Sequence, residues 1–185
     1  MMLPRRGFSC LMLAGFLIVA GALSAEARGG DGGAAHSEKA EAGAKLPLID
    51  LGGYRDIVAS NHGRALMITF WATWCQPCRS EFPMIEEMAK KYGPQGLTIV
   101  GVSLDEDSDL GAARQFLQQT HADFPNYRVK PGIDVDAFYQ GVSPDWRGTM
   151  PQTVFYARDG HVARYLTGAR APAAFEDAIR LILLN

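Results

Sequence analysis

At 185 residues, with 18 basic and 20 acidic side chains and a formal net charge of -2, the chain suits one domain plus extensions and lacks the basic excess that binds nucleic acid. Its apolar share, 48%, is ordinary for a protein with a packed core, although part of it is concentrated near the N-terminus. Met1 to Ala27 opens with Arg5 and Arg6, carries no charge from Gly7 to Ala25, and ends on Ala25-Glu26-Ala27, a small-x-small cleavage pattern. It reads as an export signal. The uncharged stretch is just long enough, at about 18 apolar residues, to serve as an uncleaved anchor, but Gly15, Gly21 and the cleavage pattern favour removal. Arg5-Arg6-Gly7-Phe8 also fits the core of a twin-arginine signal, and either route leads out of the cytoplasm. Cys10 is expected to leave with this segment, so that the mature protein keeps Cys75 and Cys78.

Arg28 to Lys45 is rich in Gly, Ala and charge, with no aliphatic residue larger than alanine. It cannot bury enough surface to offset ordering and reads as a flexible tether, placing the folded domain at Leu46 to Asn185. Ala65 to Trp71 and Leu97 to Ser103 are nearly continuous apolar runs, as in strands of a parallel sheet covered on both faces. Between them Cys78, Phe82, Ile85, Ala89 and Tyr92 recur at steps of four and three, the stripe of a helix that Gly93-Pro94 ends and Pro83 is expected to kink. The unit is βαβ. Asp105 to Asp109 lead into a helix over Leu110 to Thr120 and read as acids that complement its macrodipole. A calcium loop is excluded there, because its glycine comes one place late, at Gly111, and Phe116 replaces the bidentate glutamate. Gln152 to Ala157, the turn Arg158-Asp159-Gly160 and His161 to Leu166 predict a hairpin. Pro172 then opens a closing helix whose Phe175, Ala178, Ile179, Ile182 and Leu183 share a face.

Cys75 and Cys78 stand where the first long strand gives way to its helix. Bridged to each other they close a loop of four residues, which the loop-entropy relation values at about 2 kcal/mol, against almost 5 for a hundred-residue loop. The pair would be a poor staple. Structural zinc wants four ligands, and no second cysteine pair exists, while His36, His62, His121 and His161 are scattered. A redox role fits better: free N–H groups and the positive end of the dipole at a helix N-terminus stabilise a thiolate at Cys75. Cys78, one turn inward on the apolar stripe, suits the less exposed thiol that resolves a mixed disulfide. A βαβ half, a ββα half and cysteines at the first helix start point to an α/β, thioredoxin-like fold: a central mixed sheet flanked by helices, with an inserted helix/strand segment.

At this point TFWATWCQPCRSEFP and MPQTVFYARDGHV together resemble the bacterial extracytoplasmic thioredoxin-like proteins of the TlpA/ResA/DsbE type, over roughly Leu46 to Asn185. The resemblance implies a thiol-disulfide oxidoreductase with active cysteines at Cys75 and Cys78, which form its disulfide, an acid beside them at Glu81, and a cis-proline opposite them at Pro151. Trp74, Met150 and Pro151 are then expected to meet substrate, the Met150 backbone pairing with an extended chain. It further implies disulfide-bonded protein substrates, a membrane thiol donor, reducing activity often linked to cytochrome c assembly, and a periplasmic or otherwise extracytoplasmic monomer. No cofactor or metal is expected, and membrane contact only if the N-terminal segment stays.

Departures from related patterns sharpen this. Thr69 stands where cytoplasmic thioredoxins carry a buried aspartate, which leaves Glu81 to handle protons. Met150 is bulky before the proline. Trp146, in the segment from Val142 to Thr149, is read as packed rather than as part of a specificity loop. A thiol peroxidase needs Thr or Ser three residues before the attacking cysteine, and Ala72 is there instead. The rival from another class is a Cu(I) chaperone, because paired thiolates are soft ligands, but no methionine or histidine lies near the pair in sequence.

Overall fold

The computed structural model describes residues 46–184, so the export signal, Cys10 and the tether lie outside the described residues. The strands are β1 (Leu48–Ile49), β2 (Ala65–Trp71), β3 (Leu97–Ser103), β4 (Asn126–Val129), β5 (Gln152–Tyr156) and β6 (Val162–Thr167). The helices are α1 (Leu51–Ser60), α2 (Gln76–Tyr92), α3 (Leu110–Gln119), α4 (Val135–Val142) and α5 (Pro172–Leu184). The strands form one sheet in the order β1-β4-β3-β2-β5-β6; β1 to β4, β4 to β3 and β3 to β2 run parallel, while β5 is antiparallel to both β2 and β6. This is the βαβ-then-ββα sheet expected, with β4 and α4 as the inserted segment.

Every residue of β2 is buried, because both its faces are covered. Ala65, Met67 and Trp71 face one core with Phe82 and Ile85 of α2, Leu117 of α3, and Phe175, Ile179 and Ile182 of α5. Leu66, Ile68 and Phe70 face the other, with Tyr54 and Ile57 of α1 and Phe138 and Val142 of α4. Helices on both faces explain why the strand reads as a continuous apolar run rather than an alternation. Trp146 is 2% exposed, its ring 4.7 Å from Phe70 and 4.4 Å from Tyr139, and its indole N–H donates to the Thr149 carbonyl at 2.8 Å. It is packed, as read from sequence.

The local structure adds to the sequence reading. β1 and α1 form before β2, where no elements are assigned from sequence; Asp50 caps α1 by accepting the Gly53 N–H at 3.0 Å. Pro83 lies inside α2, which runs on to Tyr92 as its apolar stripe predicts. Asp109 stands at the N-cap of α3, where the macrodipole reading puts an acid, while Asp105 and Asp107 are engaged elsewhere. α3 has no acid in its first turn, Asp107 pairs with Arg128 of β4 at 2.6 Å, and Asp105 is buried. Among the described residues, no helix is long and apolar enough to cross a membrane.

Gly101 shows how tightly the sheet is fitted beside the cysteines. A Cβ there would come within 1.9 Å of Asn126 Oδ1, the atom that accepts the Trp71 indole N–H at 3.1 Å. The glycine leaves room for the hydrogen bond that anchors the Trp71 ring. Gly101→Ala is therefore expected to destabilise the protein by about 1–3 kcal/mol through overpacking and loss of that hydrogen bond. Urea unfolding of the two forms checks this; an unchanged midpoint would remove Asn126 from its assigned place.

Candidate functional site: a dithiol at a helix N-terminus

β2 delivers its last residue, Trp71, to the edge of the sheet, and Ala72 to Trp74 carry the chain to α2. Cys75 is the N-cap of that helix, in an extended conformation (φ -86°, ψ 94°). Its Sγ accepts the backbone N–H of Cys78 at 3.3 Å, and its N–H donates to the Ala72 carbonyl at 3.1 Å. The sulfur thus occupies the place where a capping serine or aspartate oxygen would sit. Pro77 in the first turn costs nothing, since a residue there has no intrahelical acceptor. Cys75 and Cys78 are joined by a disulfide, with Cα atoms 5.3 Å apart. Cys75 is 5% exposed and Cys78 2%, so the difference in exposure is smaller than the sequence reading expects.

Trp74, by contrast, is 59% exposed and forms one wall of a cleft of about 480 Å³. Leu104, Asp105, Lys130, Ile133 and Tyr139 line the rest of it, so the inserted β4–α4 segment supplies the far wall. On the other flank, Gln152 of β5 pairs with Phe70, which places Pro151 level with the end of β2 from which the cysteine loop departs. The Met150–Pro151 peptide is cis. Pro151 is buried and its carbonyl accepts the Gly168 N–H at 2.8 Å, while Met150 is half-buried against both cores.

Glu81 lies three residues beyond Cys78 on α2, a spacing that puts both on one helix face. It is 7% exposed rather than solvated. One carboxylate oxygen accepts the Arg170 backbone N–H at 2.8 Å; the other is buried without a hydrogen-bond partner. Burial pushes this carboxyl above the usual carboxylate range, against the opposing pull of the Arg170 N–H and guanidinium. Thr69 is buried too, and receives the Thr153 hydroxyl at 3.3 Å, an uncharged pair in the strand beneath. The dithiol, Trp74, Glu81 and the cis-proline are thus gathered at one end of the sheet.

Sequence reasoning missed two further acids. Glu86, 4% exposed on α2, accepts the Asp123 N–H at 3.2 Å and is pushed up to about 7 by burial. It stands eight residues, or about 12 Å of helix rise, beyond Cys78, and belongs to the packing of α2 on the segment before β4. Asp105 accepts from both the backbone and the hydroxyl of Thr73, two residues before Cys75. The signal for it was present: a small polar residue, Ser103, with an acid two residues on, at the mouth of an otherwise apolar strand. Ala72 is fully buried and offers no hydroxyl to the sulfur. Among the described residues there is no group of three His, Cys, Asp or Glu side chains placed to hold a metal.

Comparison with known proteins agrees with this geometry. The AhpC/TSA family model matches residues 44–165. The thiol-disulfide oxidoreductase ResA of Bacillus subtilis is 30% identical over 135 residues, covering 73% of this chain and 70% of its own. ResA of Bacillus thuringiensis is 29% identical over 148 residues, covering 78% and 80%. Among solved structures, a Chlorobium tepidum protein assigned as the thiol:disulfide interchange protein DsbE superposes with a TM-score of 0.57 at 32% identity, covering 68% of this chain and 84% of that one. A Cys-x-x-Cys disulfide capping the first helix of a thioredoxin-like sheet, in a chain so related, places the protein in the ResA/DsbE-type thiol-disulfide oxidoreductases of the AhpC/TSA family.

Proposed function

We propose that the protein acts outside the cytoplasm as a reductant of selected protein disulfides, with Cys75 as attacking thiol, Cys78 as resolving thiol and Glu81 as proton acceptor. The observation that carries this reading is the Cys78 N–H directed at Cys75 Sγ on the first turn of α2. In the reduced protein that donor and the helix dipole favour an anionic sulfur at Cys75. The thiolate attacks one sulfur of a substrate disulfide; a mixed disulfide forms and the other substrate sulfur leaves as a thiolate. Cys78 then gives its proton to Glu81 and attacks Cys75 Sγ, expelling the second substrate sulfur. Two electrons have passed to the substrate, and the protein is left as the Cys75–Cys78 disulfide.

Substrate approach is assigned to the exposed Trp74 and to the backbone of Met150 ahead of cis-Pro151, which is free to pair with an extended strand. The oxidised protein is then recharged by a membrane-bound thiol donor, and the resemblance to the family points to cytochrome c assembly as the setting. Export by the Met1 to Ala27 signal, and a monomeric mature protein, complete the proposal. It is tested by trapping: Cys78→Ser is expected to accumulate covalent adducts with its targets in periplasmic extracts, and Cys75→Ser to give none. Adducts on neither variant, or a measured Cys75/Cys78 potential as oxidising as the strongest periplasmic oxidants, would sink it.

Glu81 makes a prediction of opposite sign for stability and activity. Its folded pKa is raised, so between the unfolded and folded values the native state binds more protons, and stability falls as pH rises through that window. Glu81→Gln is therefore expected to be more stable than the parent at neutral pH. The same substitution removes the proton acceptor and should slow resolution of the mixed disulfide by roughly tenfold or more, given the usual worth of general-base catalysis. Thermal unfolding across pH, with stopped-flow exchange, checks both; a variant slower but also less stable would make Glu81 a packing residue.

A further inference from the structure

The loop after β3 carries a buried acid that this exchange chemistry does not use. Asp105 is 2% exposed. Its Oδ1 accepts the Thr73 N–H at 2.9 Å and the Thr73 hydroxyl at 2.5 Å, and its Oδ2 accepts the Ser103 hydroxyl at 2.8 Å. The loop itself is held from two sides. Leu104 donates its N–H to the Trp71 carbonyl at 2.8 Å. Arg128, buried in β4, donates to the Asp105 carbonyl at 3.3 Å and to Asp107 at 2.6 Å. Thr73 belongs to no strand or helix; it lies between the end of β2 and the cap of α2, where the chain turns from sheet to nucleophile.

We propose that Asp105 is a positioning residue for the thiol exchange: by gripping both the amide and the hydroxyl of Thr73 it fixes the angle at which Trp74 and Cys75 are presented at the mouth of the adjoining cleft. The assignment rests on Cys75 being the attacking thiol. Attack on a disulfide needs the sulfur in line with the bond that breaks, so small displacements of the thiolate weigh heavily on rate. A carboxylate is the stronger choice of acceptor, since hydrogen bonds to an ionised group hold position better than neutral ones. It also brings a formal negative charge against Thr73, two residues before Cys75, which opposes the thiolate, while Arg79, Arg128, Asp107, Glu106 and Lys130 are the other charged groups around the loop and the cleft. Grip and charge can therefore be separated by substitution.

Asp105→Asn keeps an oxygen for Thr73 and removes the charge, whereas Asp105→Ala removes both. With the full chain and a peptide disulfide as substrate, Asp105→Ala is expected to lose roughly tenfold to a hundredfold in the rate of exchange, the scale on which misplacement by about an ångström acts. Asp105→Asn is expected to stay within about threefold of the parent and to shift the pH midpoint of Cys75 alkylation downward. Thr73→Val, which lacks only the hydroxyl, should fall between, and carries the test with Asp105→Asn if the alanine variant does not fold by circular dichroism. Asn and Ala variants equally slow, an alanine variant as fast as the parent, or a Thr73→Val protein with unchanged exchange would each overturn the assignment. Exchange that persists in Cys75→Ser would instead overturn the reading of the nucleophile on which it rests.

Discussion

The site depends on a sulfur doing the work of a helix cap. Every α-helix begins with N–H groups that have no partner inside it, and in α2 one of these, on Cys78, is directed at Cys75 Sγ. A neutral thiol is a weak acceptor for that bond, and an anion is a strong one, so the helix favours the charged form of the first cysteine over that of the second. The asymmetry does not need unequal exposure, and both cysteines are nearly buried. It needs only that Cys75 be at the cap and Cys78 inside the first turn. What the rest of the fold contributes is to hold that cap at the end of β2, beside the cleft walled by Trp74.

That placement comes from β2. Flanked by β3 on one side and β5 on the other, it is fixed by parallel and antiparallel ladders at once, and its C-terminal end is where three separate segments converge. β5 sets Pro151 beside it, the loop after β3 sets Asp105 beneath Thr73, and β4 reaches over through Asn126 and Arg128. The inserted strand therefore serves the site directly. Through Asn126 it holds the Trp71 indole, through Arg128 it holds the Asp105 loop, and the residues following it line the cleft beside Trp74.

Much of this was legible because it follows from periodicity and from residues with few conformational options. The apolar runs of β2 and β3, the stripe from Cys78 to Tyr92, the hairpin around Gly160 and the Pro172 start of α5 are all local patterns, and the structure has them within a residue or so. β1, with two residues, and α1 have too little pattern to announce themselves. Asp105 was misread for a physical reason: a run from Asp105 to Asp109 looks like one set of acids leading into a helix, yet its first member turns inward to meet donors 32 residues away in sequence. Glu81 was placed beside the cysteines by resemblance rather than by pattern. A glutamate between Ser80 and Phe82 has no local sign of whether its face is covered, and the cover comes from Arg170, 89 residues on.

Two buried glutamates on one helix also show why a raised carboxyl pKa does not by itself name a catalytic group. Glu81 and Glu86 are both desolvated, both held by one backbone N–H, and each leaves one oxygen without a partner. By titration alone Glu86 is the better candidate, since it is the one carried to about 7. Distance reverses the order. A proton passes over hydrogen-bond lengths, and only Glu81 is a single turn from the thiol that must lose one, whereas Glu86 sits more than two turns away along the same axis. The threonine pair beneath, Thr69 with Thr153, has no charge to offer. Of the two buried glutamates, Glu81 is the one within a single turn of Cys78 on α2.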